Sequence, residues 1–423
     1  MWKMTVYDLC IVGAGMVGSA AARHASINRN KNICLIGPEE PQVCNRLKTR
    51  RICTGDEVFG NYYDEGRIAR CLTTSHVWSI LAQRSIKRYR ELENLSGILF
   101  YSEVGSLCVA SSQGNYLGET LETSAKFNIP CEVLNNNKLT QRFPYMCFGE
   151  GDSGVYENIN SGHINPRKLV AAQISVAVNQ GCNVIRDIVV KVKKEIDIYK
   201  LITAKGNTIC AKKVLLTTNV FTKVHDLLTN PPKFKAMPQT ISFGRISKQD
   251  ADRLRDMPSV VYFGPGSKSW YPDYPKDSYG NLGFYMLPPI QYPDGNFYIK
   301  IGHSDNIITE LKHADIQRWF SGNGDVELEN HLFKLMESII PGVTFLDHHG
   351  DGCATMVTST YNPYIDMVEP NLGVAIGGCG YAAKASDELG RVAAEMIMKS
   401  TWTYDIPKDK FRFVGETEFS SKL

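Results

Sequence analysis

Residues 7–22 read YDLCIVGAGMVGSAAA, and the reading of this stretch decides the fold. Leu9-Cys10-Ile11-Val12 is an apolar run that predicts a short buried strand. Gly13-Ala14-Gly15-Met16-Val17-Gly18 follows as G-x-G-x-x-G, and the alanine-rich chain after it predicts a helix. In such a turn the first glycine makes the tight bend, the second lets a pyrophosphate approach the backbone, and the third lets helix and strand pack closely. The helix N-terminus adds N–H groups and the positive end of a dipole. The stretch therefore predicts dinucleotide binding, with Gly13, Ala14, Gly15, Met16, Val17 and Gly18 as the phosphate cradle. A second apolar strand is expected at Ile33-Cys34-Leu35-Ile36. The acid that usually ends this strand and holds the ribose is replaced by Gly37, then Pro38-Glu39-Glu40. Either Glu39 or Glu40 reaches back, or the ribose is held differently.

The rest of the composition bounds the answer. A length of 423 residues suggests two or three domains with ample core. A net charge of +3, from 47 basic and 44 acidic residues, gives no footprint for nucleic acid. No stretch of about 18 apolar residues occurs, so no membrane partner is expected. The chain enters its first strand directly, which leaves no room for a signal peptide. Twelve cysteines without a C-x-x-C pair argue against a zinc ribbon or a disulfide scaffold and for a reducing compartment. Nine histidines lack metal-ligand spacing, and no metal is expected; His348 and His349, pointing to opposite sides of a strand, read as structural. Ser421-Lys422-Leu423 matches the peroxisomal import address, so a peroxisomal location and its import receptor are expected.

Along the chain, residues 44–75 read as an aperiodic loop lining a site, and 76–95 as one amphipathic helix. A strand pair is expected over 99–110, and helices over 115–127 and 135–142. Residues 167–180 read as a helix entered through Pro166, and short strands follow at 183–185, 188–192, 199–204 and 213–216. Leu215 to Asn219 ends a buried strand in small polar residues, which suits close approach to a phosphate or flavin. Aromatics and prolines crowd 262–293, alternation at 296–302 predicts a half-buried strand, and 374–398 returns to strand, glycine turn and helix. The fold class expected is α/β: a discontinuous Rossmann-like nucleotide domain (1–90, 150–228, 342–423), interleaved with a mostly antiparallel β-sheet substrate domain (91–149, 229–341).

Four blocks, taken with the first glycine loop, resemble one family. Gly352-Cys353-Ala354-Thr355 is followed at matching distance by Tyr364-Ile365-Asp366. Gly377-Gly378-Cys379-Gly380-Tyr381-Ala382-Ala383-Lys384 is similar to a G-F-S-G-H-G-F-K turn. Asp64-Glu65-Gly66-Arg67-Ile68-Ala69-Arg70 is similar to G-D-T-R-I-I-R, and Tyr298-Ile299-Lys300-Ile301-Gly302 resembles an L-K-L-G strand. Together they resemble flavin-dependent amine oxidases of the D-amino-acid-oxidase superfamily, within it the group of monomeric sarcosine oxidase and peroxisomal sarcosine/L-pipecolate oxidase.

The resemblance implies FAD, carried on Cys353 through a thioether. It implies Arg67 against the flavin, Arg70 and Lys384 on the substrate carboxylate, and Lys300 near flavin N5 assisting oxygen. A fixed cation there would stabilise the negative charge that develops on O₂. Val189, Gly380, Tyr381 and Lys384 are counted with the cofactor, and Tyr285 with the catalytic pocket. The implied reaction is oxidation of a carboxylate-bearing amino acid or secondary amine to an imine, with O₂ reduced to hydrogen peroxide, by a monomer. The alternative is a flavin dehydrogenase or tailoring enzyme acting on a cyclic imino acid or a larger N-substituted amino acid. Departures lie at Tyr381, where the family has histidine, at Ala382, where it has glycine, and at His303, one place before the family's histidine. They place sarcosine itself in question as substrate.

Overall fold

The computed structural model describes residues 5–39, 58, 60–111, 115–263, 283–303 and 310–419. Parts of the 44–75 loop and of the 262–293 tract, and all of Ser421-Lys422-Leu423, lie outside the described residues.

A six-stranded sheet has four short apolar runs at its centre. Its order is Asn183–Ile185, Ile33–Ile36, Leu9–Val12, Val214–Leu216, Leu372–Ile376, Tyr364–Glu369. The first five strands are parallel and the last runs antiparallel. Continuous burial of Leu9–Val12, Ile33–Ile36, Val214–Leu216 and Leu372–Ile376 is what a parallel sheet covered on both faces demands. Met16–Ala25 packs on this sheet with Pro166–Asn179 and Ala382–Lys399. Asn165 caps the second of these helices, accepting from Lys168 N at 2.9 Å just ahead of Pro166.

An eight-stranded sheet forms the other large layer. Its order is Asp347–Thr358, Phe234–Ile246, Phe297–His303, Phe284–Gln291, Ser259–Phe263, Ser106–Ser111, Asp152–Glu157, Glu132–Leu134. It is antiparallel except where Ser259–Phe263 runs beside Ser106–Ser111. Strands Asp152–Glu157 and Asp347–Thr358 come from stretches the sequence reading assigns to the nucleotide domain, so this sheet crosses those boundaries. Alternation sorts its faces. Leu107, Val260, Met286, Ile299 and Ile301 face a core completed by Leu328, Leu332 and Met336 of helix Val326–Ile339. The intervening residues, Cys108, Val261, Tyr285, Lys300 and Gly302, share the opposite face, turned toward the nucleotide domain.

Two local expectations change. The 76–95 helix is two helices, His76–Ile86 and Tyr89–Ser96. Arg88 at the break donates to Asp387 and Glu388 at 2.6 Å each, a tertiary anchor that helical periodicity does not record. Arg67–Ala69, read as loop, forms a strand paired with Gly162–Ile164. No helix among the described residues is long and apolar enough to cross a membrane, and no group of three or more His, Cys, Asp or Glu there could hold a metal. The ten described cysteines are free. His348 bonds Glu329 at 3.0 Å while His349 stacks on Phe243, on opposite sides of their strand.

Candidate active site

A cavity of about 400 Å³ runs between the two sheets, from the first glycine loop to Lys384. At the loop end, Gly13 has φ +107°, a conformation that favours glycine. A side chain at Gly18 would lie 1.8 Å from the Gly13 carbonyl, so this glycine permits the close helix–strand contact. At Gly15, by contrast, an added Cβ would meet nothing nearer than Tyr62 at 3.8 Å, so the backbone there opens into the cavity. The helix beginning at Met16 has no side-chain cap and no acid in its first turn. This open backbone and uncompensated helix end fit a pyrophosphate. Gly13 through Val17 line the cavity, whereas Gly18 stands behind them. Thr217 Oγ1 lies 2.9 and 2.8 Å from the carbonyls of Val12 and Gly13 and braces the turn.

Val189 lines the same end, with Ile36, Gly37 and Pro38. An added Cβ at Gly37 would sit 2.6 Å from Ala14 N, so that position cannot supply the missing acid. Glu39 is exposed and off the cavity wall, and Glu40 lies outside the described residues.

Midway, Cys353, Gly380 and Tyr381 line the wall with Arg67. Burial raises the Cys353 thiol pKa, while Arg67 and Lys300 pull it down. Arg67 donates to Gly66 O at 2.9 Å and Asn61 O at 2.8 Å, and pairs with Asp64. Lys300 is not among the lining residues. It is 1% exposed, one layer back, where its Nζ pairs with the same Asp64 and donates to Gly66 O at 3.1 Å. Burial and Arg67 push its pKa down to about 8 against the pull of Asp64. Tyr292 also donates to Asp64, at 2.8 Å.

Tyr285 lines the cavity near Arg67 and Cys353, and the far end holds Arg70 and Lys384. Arg70 and Lys384 are both buried. Arg70 Nη1 has no hydrogen-bond partner among the described residues, and its Nη2 reaches Tyr116 Oη at 3.4 Å. Lys384 Nζ lies 4.8 Å from the centre of the Tyr381 ring, which stacks on Trp78. Burial and Arg70 hold the Lys384 pKa well below the usual lysine range. The nearby carboxylate, Glu157, is already occupied by Cys71 N at 2.9 Å and Leu72 N at 3.2 Å. Two buried cations against one committed carboxylate leave a site suited to an anion. His303 lines the cavity too, accepting from Thr240 N at 3.1 Å.

Ile68, Gln239, Ile241, Val261 and Phe263 are lining residues that sequence reasoning missed, and His303, noted there only as a departure from the family pattern, lines the cavity with them. Strand alternation was the available signal for Val261 with Phe263 and for Ile68 between the arginines. Nothing in the sequence marks Gln239, or the pairing of Asp64 with Lys300.

The chain belongs to the FAD-dependent oxidoreductase family, whose model matches residues 8–396. Within that class it is similar to the monomeric sarcosine oxidase of Arthrobacter sp. (strain TE1826), 22% identical over 407 residues, 95% of this chain and 94% of that one. It is similar also to N-methyl-L-tryptophan oxidase of Yersinia pestis (strain Pestoides F), 20% identical over 398 residues, 92% and 94% of the two chains. Among solved structures, NikD, described as an unusual amino acid oxidase essential for nikkomycin biosynthesis, superposes with TM-score 0.73 at 18% identity, over 98% of both chains. L-proline dehydrogenase from P. horikoshii superposes with TM-score 0.70 at 15% identity, over 97% of both.

Proposed function

We propose that this chain is an FAD-linked oxidase of an amino acid or secondary amine that bears a carboxylate. The observation that carries the reading is the pair Arg70 and Lys384, buried cations at one end of a cavity whose other end is the glycine loop. The flavin, when bound, supplies the two-electron redox chemistry. Arg70 offers a planar fork to a carboxylate and Lys384 a second charge, so the two fix the substrate's position and orientation. No carboxylate among the described residues lines this end, so the substrate amine binds uncharged. Tyr285 walls the reacting centre. O₂ is the acceptor and hydrogen peroxide the product, with Lys300 and Arg67 supplying fixed positive charge. Cys353 is the attachment point for a covalent flavin. The named activities of the sarcosine and N-methyl-L-tryptophan oxidases support an N-substituted amino acid. A monomer imported into peroxisomes through Ser421-Lys422-Leu423 completes the proposal.

One observation favours a second reading, a flavin dehydrogenase. Lys300 is tied to Asp64 and set back from the cavity wall, which weakens its help to oxygen. Anaerobic addition of sarcosine, pipecolate, proline and N-methylated amino acids separates the two. An oxidase bleaches with one of them and recovers its yellow colour promptly in air with release of peroxide. Bleaching without prompt recovery selects the dehydrogenase, and no bleaching overturns both.

A further inference from the structure

The face of the eight-stranded sheet that looks into the cavity changes character across its width. Cys353 pairs with Gln239, Ile241 with Gly302, Gly302 with Tyr285, Tyr285 with Val261, and Val261 with Cys108. Cys353 and Val261 are thus four strand spacings apart, about 19 Å. The wall around Val261 is therefore distinct from the wall around Cys353. It consists of Val261 and Phe263, two apart on one strand, with Ile68 from strand Arg67–Ala69, and Tyr285 on the next strand joins it to the wall around Cys353. Gly302 makes room for the Tyr285 ring, because a Cβ there would lie 2.4 Å from Tyr285 Oη.

This wall is built against the carboxylate anchor. Phe263 stacks on Tyr116 with ring centres 3.6 Å apart, and Tyr116 Oη is the group that receives Arg70. The charges close off other ligands. Asp187 is the one acid among the described lining residues, and it stands beside Val189 at the glycine-loop end. A second ammonium on the substrate would face Arg70, Lys384 and Arg67 with no anion among the described lining residues, and a second carboxylate would face Val261 and Phe263.

From this geometry we infer that the space beyond Arg70 and Lys384 is a subsite for a bulky, uncharged apolar group, so the substrate is a hydrophobic amino acid with an aromatic, branched or ring substituent. The inference rests on the oxidase reading for the reaction, and on the cavity alone for the binding.

The test has two arms on the holoenzyme. Unreactive carboxylates are titrated against the flavin spectrum: acetate, phenylacetate, 3-phenylpropanoate and succinate. Phenylacetate or 3-phenylpropanoate should bind at least ten times more tightly than acetate, and succinate no more tightly than acetate. In the second arm, kcat/KM for N-methylphenylalanine or N-methylleucine should exceed that for sarcosine on the order of 100-fold, with N-methylaspartate and Nα-methyllysine below sarcosine. Phe263→Ala should remove most of the aromatic preference, read as the ratio of phenylacetate to acetate affinity within the variant; the wild-type series decides the matter if that variant does not fold. Equal binding of acetate and phenylacetate, or sarcosine as the best substrate, would overturn the subsite and leave the oxidase reading intact. Tight aromatic carboxylates with no amine that bleaches the flavin would keep the subsite and sink the oxidase reading.

Discussion

Asp64 is shared by Lys300 and Arg67: one carboxylate pairs with a lysine from the eight-stranded sheet and with the arginine that lines the cavity. Lys300 faces Arg67 as a like charge and Asp64 as an opposite one, with Cys353 and Tyr285 beside it. Its pKa is lowered to about 8, so it sheds its proton earlier in the folded chain than in the unfolded one. Stability linked to this group therefore rises with pH from about 8 to the ordinary lysine value. Lys300→Met should be no less stable than wild type at pH 7, since Asp64 keeps Arg67. Its reoxidation by air should be slower by about 10²- to 10³-fold. In wild type that rate should fall as pH rises through about 8, and in Asp64→Asn the fall should come at lower pH. Stopped-flow reoxidation across pH reads all three, and a flat profile in wild type would remove Lys300 from the oxygen step.

Attachment at Cys353 has its own readout. Acid precipitation of wild type should leave yellow colour in the pellet, and Cys353→Ser should release it to the supernatant. Colour retained in the variant would move the link to another residue.

Asp387 accepts from Arg23 Nη2 at 2.6 Å, Arg88 Nε at 2.6 Å and Gln173 Nε2 at 2.9 Å, joining three helices to the break at Arg88. Its pKa lies well below the ordinary carboxylate value, partly through His24, Arg23 and Arg88. The stability it supplies is present above that ordinary value and lost as pH falls through the depressed one. Asp387→Ala leaves the buried Arg23 without its anion and Arg88 with Glu388 alone, and should cost about 3–5 kcal/mol. Urea unfolding at pH 7 measures this, and a change below 1 kcal/mol would show that the cluster is dispensable.

How far these groups were legible in the sequence follows from the range of the signal. The glycine loop is local, and its strand, turn and helix appear where the spacing puts them, at Leu9–Val12 and Met16–Ala25. Arg67, Arg70, Cys353 and Lys384 were found by resemblance, and the fold brings all four to one cavity. Lys300 was found the same way, but its alternation with Ile299 and Ile301 gives a face and no depth, and Asp64 decides the depth. The long strands Phe234–Ile246 and Asp347–Thr358 escaped because glycines, histidines and a proline interrupt their pattern, while pairing with each other along twelve positions holds them extended. The break at Arg88 depends on Asp387, 299 residues further along the chain.

The central claim, that Arg70 and Lys384 hold the substrate through a carboxylate, is tested most directly by comparing pipecolate with piperidine, the same ring without the acid. Peroxide-coupled kcat/KM would be measured for both in wild type, Arg70→Ala and Lys384→Ala. Wild type should prefer pipecolate by at least 100-fold, and either variant should lose about 1.5–3 kcal/mol of that preference, chiefly as a higher KM, with flavin content unchanged. Equal rates on the two amines in wild type, or a preference that survives in both variants, would contradict it.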